Sequence, residues 1–224
     1  MKYVFIAMLF IPGLISLRAQ DVKALPLNIV NATGDNSRSL VVYITGDGGW
    51  NQFSQGFAKE FSSRGYPVVS LNANKYFWKK KTPVQAAADL SLVINNYLKE
   101  FNRTRVSVIG YSFGADVLPF IYNKFPAEIQ AKIKSLSLLS PSAATDFEIH
   151  LMSMMGGSGS GSSVPDEVNK LGIIPVTIIT GDSEKDFPFE KVTAKKIRRK
   201  SMAGGHHYDG DVKKLVDAIL ESTF

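Results

Sequence analysis

Apolar residues fall in short, nearly unbroken runs, and polar residues and glycines gather at their ends. The runs are 25–30, 40–44, 67–71, 106–109, 133–139 and 175–181. A run that is apolar at almost every position predicts a strand buried on both faces, as in a parallel sheet. The first run, broken by Pro26 and Asn28, reads as an edge strand, and 31–39 as a polar turn. Between the runs the spacing becomes helical. Residues 52–63 set Phe53, Phe57, Ala58 and Phe61 on one side, with Gly65 as the stop. Residues 84–101, 115–122 and 211–220 read as further helices. Strands alternating with helices predict one α/β domain, a mainly parallel sheet flanked by helices. No internal repeat or second domain is visible.

The strand ends carry the chemistry. Gly110-Tyr111-Ser112-Phe113-Gly114 stands between the run at 106–109 and the helix at 115–122. Strand, G-x-S-x-G, helix is the order of a nucleophile elbow. The glycines leave room on both sides of a serine on a sharp turn, and the helix N-terminus favours developing negative charge. A plain tight turn with a buried serine would predict nothing at the other strand ends. Thr45-Gly46-Asp47-Gly48-Gly49-Trp50 follows the strand at 40–44. The backbone N–H groups of Asp47 and Phe113 are the expected oxyanion hole. Gly48 and Trp50 are expected beside the substrate. The strand at 67–71 runs into an aromatic and basic loop, 72–83, with Tyr76, Phe77, Trp78 and Lys79 to Lys81. Tyr76 and Trp78 are expected to form a substrate wall or a membrane-facing rim, and the lysines either meet an anionic surface or simply face solvent.

A serine nucleophile needs a histidine to take its proton and an acid to orient that histidine. Gly204-Gly205-His206-His207-Tyr208-Asp209 supplies the histidine, and His206 is preferred because the glycines before it give it room. The strand at 175–181 delivers Asp182, Glu184 and Asp186. Glu184 stands at the usual distance for this loop, Asp186 is a close rival and Asp182 the third choice. Spacing alone does not separate Glu184 from Asp186. The order Ser, acid, His is that of the α/β hydrolases. The adjacent histidines face different ways, so no metal is expected there; His150 reads as structural.

Composition narrows the picture. Without cysteine, disulfides and thiolate chemistry are excluded. Residues 1–19 combine a basic start with an apolar stretch ending at Ala19, and read as a cleaved signal peptide. The expected location is therefore the periplasm. The net charge of +6 suggests an anionic surface as partner. No nucleic-acid motif accompanies it, no nucleic-acid partner is expected and no cofactor is required. Residues 145–169 contain a glycine–serine run and are expected to form a small mobile lid, or a connection with no role. The basic run 195–200 reads as a solvated helix end, with contact to anionic lipid as the alternative.

Together, Thr45-Gly46-Asp47-Gly48-Gly49-Trp50, Tyr76-Phe77-Trp78 with Thr82-Pro83, the elbow extended to Pro119, Asp146-Phe147-Glu148-Ile149-His150 and the Gly204-to-Asp209 motif resemble the bacterial virulence protein VirJ and the C-terminal domain of AcvB. The glycine–serine run departs from that pattern. The resemblance implies a periplasmic serine hydrolase of α/β-hydrolase fold that cleaves the amino-acid ester of aminoacyl-phosphatidylglycerol, especially the lysyl form. With that substrate, Asp47 and Asp116, one helical turn beyond Ser112, become candidates to bind its ammonium group. The alternatives are a general carboxylesterase or thioesterase, and a non-enzymatic adaptor that binds secretion-system proteins.

Overall fold

The computed structural model describes residues 21–34, 38–149 and 161–223. The expected signal peptide and His150 lie outside them. Nine strands and seven α-helices occur among the described residues. In chain order they are β1 (Leu27–Val30), β2 (Leu40–Ile44), α1 (Gln52–Ser63), β3 (Val68–Leu71), α2 (Ala73–Tyr76), α3 (Pro83–Glu100), β4 (Val106–Tyr111), α4 (Phe113–Tyr122), α5 (Ala127–Gln130), β5 (Ile133–Leu139), β6 (Ala144–Thr145), β7 (Ser162–Ser163), α6 (Val164–Val168), β8 (Val176–Gly181), β9 (Ile197–Met202) and α7 (Val212–Thr223). None of these helices is long and apolar enough to cross a membrane.

Seven strands form one sheet in the order β1-β3-β2-β4-β5-β8-β9. All its pairings are parallel except that of β1 with β3. From β2 the chain crosses to β3 on one side, then returns to place β4 on the other. The C-terminal ends of β2 and β4 therefore flank the point where the winding reverses, which is where open parallel sheets bind ligands.

The core is split by the sheet, and β2 shows how. Every residue of β2 is buried. Leu40, Val42 and Ile44 pack with Leu90 and Ile94 of α3 and Leu118 of α4. Val41 and Tyr43, pointing the other way, pack with Phe57 and Phe61 of α1 and Leu215 of α7. Each such side chain contributes roughly 1.5–3 kcal/mol by leaving water. The helix starts are capped: Asn51 accepts the Ser54 N–H, and Thr82 with Gln85 forms a capping box ahead of Pro83.

Three expectations from the sequence are corrected here. The loop at 72–83 contains a helical turn, α2, because Asn72 caps it by accepting the Lys75 N–H. The segment at 145–169 is not a free lid over its described part. Thr145 pairs with Ser162, Phe147 and Ile149 are buried, and Val164 and Val168 of α6 are fully buried. Gly161 lies so close that an added Cβ would fall 2.3 Å from the Thr145 carbonyl oxygen. The basic run is not a helix end. Its second half forms β9, where Arg198 and Lys200 reach the Ser222 and Ala218 carbonyls of α7. Cations suit that site, because a helix C-terminus carries partial negative charge.

Candidate active site

Ser112 has φ 52° and ψ −122°, a conformation that costs a non-glycine residue about 1–3 kcal/mol. Backbone on both sides holds it there. Its N–H bonds to the Leu139 carbonyl at 2.8 Å, and its own carbonyl accepts the N–H of Ala115 at 2.7 Å and of Asp116 at 3.0 Å. The two flanking glycines are required by contact. A Cβ on Gly110 would lie 2.3 Å from the Gly114 carbonyl oxygen, and a Cβ on Gly114 would lie 2.3 Å from that of Ile44. β4, the turn and the end of β2 are therefore packed backbone to backbone.

From this turn, Ser112 Oγ lies 2.8 Å from His206 Nε2. His206 Nδ1 lies 2.7 Å from Glu184 Oε1. Glu184 Oε2 accepts the Gly181 N–H at 2.6 Å and the Ser140 hydroxyl at 2.7 Å. Burial pushes the Glu184 pKa up, but the bonds from His206, Ser140 and Gly181 outweigh it and hold it below the usual carboxylate value. The bond to Glu184 raises the His206 pKa against its burial, helped by the charges of Glu184, Asp116 and Asp47. The arrangement can take a proton from the Ser112 hydroxyl and hold the resulting imidazolium.

The rival acids fall elsewhere. Asp186 is exposed and makes no bond to His206. It sits two residues beyond Glu184, past the turn closed by the Glu184 N–H on the Gly181 carbonyl at 3.1 Å. Asp182 pins the histidine loop instead, accepting the Gly204 N–H at 3.0 Å. His207 is exposed, its ring edge-on to Phe53 at 5.8 Å. Tyr111 donates to the His206 carbonyl at 3.0 Å, so the residue before the nucleophile also steadies the histidine.

The loop after β2 passes beside the nucleophile: a Cβ on Gly46 would lie 3.2 Å from Ser112 Cβ. Its shape is set by the Gly49 N–H on the Gly46 carbonyl at 3.0 Å and by Asn74 Nδ2 on the Asp47 carbonyl at 2.7 Å. The Phe113 N–H, first in α4, has no acceptor within its helix. Gly48 is exposed, and Trp50 is half-buried against the α1 side of the core.

Asp116 is 5 % exposed and accepts the Ser142 N–H. Burial pushes its pKa up to about 7, although Ser142 and the charge of His206 draw it down. Tyr76, expected at a substrate wall, is a core residue. It is 5 % exposed and its hydroxyl donates to Asp89 of α3. Its aromatic face meets Lys81 Nζ, 5.0 Å from the ring centre. Trp78 is 53 % exposed. A groove of about 470 Å³ runs between Lys80, Lys81 and the ribbon residues Thr145, Asp146 and Ser162.

Sequence reasoning gave no role to Ser140 or Tyr208, which sit behind Glu184. The signal available was position alone: Ser140 ends the strand lying between the nucleophile strand and the acid strand.

The sequence profile described as bacterial virulence protein (VirJ) matches residues 38–223. No curated protein matches the chain. Among solved structures, Est1E from Butyrivibrio proteoclasticus with bound ferulic acid superposes with a TM-score of 0.63 at 17% identity, covering 90% of this chain and 97% of that one. A lipase-esterase related protein from Clostridium acetobutylicum gives 0.63 at 14% identity, covering 88% and 99%. Proline iminopeptidase from Mycobacterium smegmatis gives 0.60 at 11%, covering 87% and 92%. At these identities the likeness shows the fold, which is that of the α/β hydrolases.

Proposed function

Since the chain belongs to the VirJ family of bacterial virulence proteins, we propose that it is a periplasmic serine esterase that cleaves the aminoacyl ester of aminoacyl-phosphatidylglycerol, the lysyl form above all. The observation that carries the esterase reading is the hydrogen-bonded series Ser112 Oγ, His206 Nε2, His206 Nδ1 and Glu184 Oε1, with contacts of 2.8 and 2.7 Å. A protein that only binds has no use for a strained serine aligned with an imidazole.

In this reading Ser112 Oγ attacks the ester carbonyl carbon and its proton passes to His206 Nε2. The carbonyl oxygen gains charge and is held by the N–H groups of Asp47 and Phe113. Glu184 stabilises the imidazolium without taking its proton. The ester bond breaks, and His206 returns the proton to the departing glycerol oxygen of phosphatidylglycerol. Water then attacks the acyl carbon as His206 takes its proton; the bond to Ser112 Oγ breaks, His206 returns the proton to Oγ, and the released amino acid ionises to its carboxylate in solvent. Asp47 and Asp116 place carboxyl groups next to this site, and an ammonium group bound there would favour the ionised form of the buried Asp116. The exposed Trp78, Lys79 and Lys80 suit an anionic lipid surface, with the half-buried Lys81 beside them.

The deciding experiment compares the lipids of cells with the protein, without it, and with Ser112→Ala. The reading requires aminoacyl-phosphatidylglycerol to accumulate in the last two. Labelling by a serine-directed phosphonate that requires Ser112, with no change in these lipids, points to a carboxylesterase or thioesterase on another ester. Absence of such labelling points to the adaptor that binds secretion-system proteins.

A further inference from the structure

Behind the candidate triad, Ser140 Oγ lies 2.7 Å from Glu184 Oε2 and 2.7 Å from the Tyr208 hydroxyl oxygen. The Tyr208 hydroxyl also lies 2.9 Å from the Ile179 carbonyl, which already accepts the Ser140 N–H at 2.7 Å. Both residues are 1 % exposed, so no solvent substitutes for a missing partner. Both hold φ near 50°, at 47° and 53°. The close of β5 and the turn from Gly205 to Tyr208 impose these conformations.

Two hydroxyl hydrogens must serve three contacts. If Tyr208 donates to Ile179 while Ser140 donates to Glu184, two oxygens face each other at 2.7 Å with no hydrogen between them. Two arrangements avoid this. In one, Tyr208 donates to Ser140 and Ser140 donates to an ionised Glu184. In the other, a protonated Glu184 donates to Ser140, Ser140 to Tyr208, and Tyr208 to Ile179. The direction of the whole series follows the charge on Glu184, and each bond polarises the next.

We propose that Ser140 and Tyr208 are positioning residues, a hydroxyl relay that fixes Glu184 as a carboxylate aimed at His206 and reverses when Glu184 takes a proton. The proposal rests on the triad reading above. Neither residue touches substrate, and the relay acts only through Glu184. Its loss leaves Oε2 with the Gly181 N–H alone, so both Glu184 and His206 hold their protons to higher pH.

The test measures kcat and KM for p-nitrophenyl acetate across pH, and phosphonate labelling of Ser112, in wild type, Ser140→Gly, Tyr208→Phe and the double variant. Glycine adopts the φ of 47° freely, so Ser140→Gly removes the hydroxyl without straining the fold, and melting temperature checks this. The relay requires Ser140→Gly to lose about tenfold or more in kcat, the scale of one hydrogen bond to a charged group, at unchanged KM. It also requires the acid limb to move to higher pH, and the double variant to be no worse than Ser140→Gly. A labelled, active wild type with Ser140→Gly at the same rate and acid limb overturns the relay alone, as does a double variant whose loss is the product of the single losses. A wild type neither labelled at Ser112 nor active overturns the esterase reading and the relay with it.

Discussion

A Cβ on Gly181 would lie 2.5 Å from the Gly204 carbonyl oxygen, so the end of β8 and the histidine loop touch through bare backbone. The acid and the histidine are carried by these two segments, and their separation is set by that contact. Gly181→Ala must push the segments apart, weakening the Gly181 N–H bond to Glu184 as well. The expected result is a kcat loss of roughly 100-fold, the scale of a displacement near 1 Å. Esterase kinetics check it, with circular dichroism to show that the fold persists.

Spacing favours Glu184 with Asp186 as a close rival, and of the two only Glu184 meets His206. Glu184→Gln keeps the shape but removes the charge that steadies the imidazolium. Its kcat is expected to fall by about 10³–10⁴, as loss of the orienting acid does in serine proteases. Asp186→Asn is expected to stay within about twofold of wild type, as surface changes away from a site do. One ester-hydrolysis assay on both variants decides between them.

The raised His206 pKa sets the pH response. Activity needs neutral His206, so the rate on a neutral ester is expected to rise with pH through a midpoint above the usual histidine value of 6.5. The stability effect has the opposite sign. The contribution through His206 is fully present below pH 6.5 as long as Glu184 is ionised, and it fades as pH rises through the raised value. Glu184, with its lowered pKa, contributes above about 4.5 and loses that contribution as pH falls. Rate and melting temperature measured across the same buffers check both directions.

Asp116 makes a separable prediction. Its pKa of about 7 means that the folded state resists ionising it, so wild type loses stability as pH rises from about 4 to 7. Asp116→Asn retains an oxygen for the Ser142 N–H and carries no charge. It is expected to match wild type near pH 4 and melt a few degrees higher at pH 8, at about 2–4 °C per kcal/mol for a chain of this size. If its carboxylate also receives the substrate's ammonium group, the same variant loses rate on lysyl esters and not on neutral aminoacyl esters. Equal, wild-type rates on both exclude charge recognition by Asp116.

Tyr76 is expected to affect stability rather than substrate. Tyr76→Phe leaves Asp89 of α3 short of its buried donor, at a cost of about 1–3 kcal/mol. Melting temperature falls while KM stays at the wild-type value; a changed KM with unchanged melting would return Tyr76 to the substrate wall.

The strands were legible because a parallel sheet buries both faces, so a run such as 40–44 announces itself without reference to partners. The elbow was legible because its glycines answer a local steric demand. What the sequence hid was tertiary. Whether Glu184 or Asp186 turns toward His206 depends on a turn closed by one backbone bond. Tyr76 and Trp78 stand two residues apart in the same loop, yet α2 sends the first into the core and leaves the second exposed. The basic stretch was misread as helical because its apolar partners, Ile197 and Met202, are too few to show alternation. Ser140 and Tyr208 carry no motif, and their meeting requires β5, β8 and the histidine loop to be folded together.

Among the described residues, β9 has a neighbouring strand on only one side. An open strand edge invites a second copy to add its own strand, and such docking propagates into fibres. Here the outermost strand reads Ile197-Arg198-Arg199-Lys200-Ser201-Met202. Two copies meeting along it would stack guanidinium and ammonium groups against their counterparts. The charges that brace α7 thus also oppose self-association along this edge.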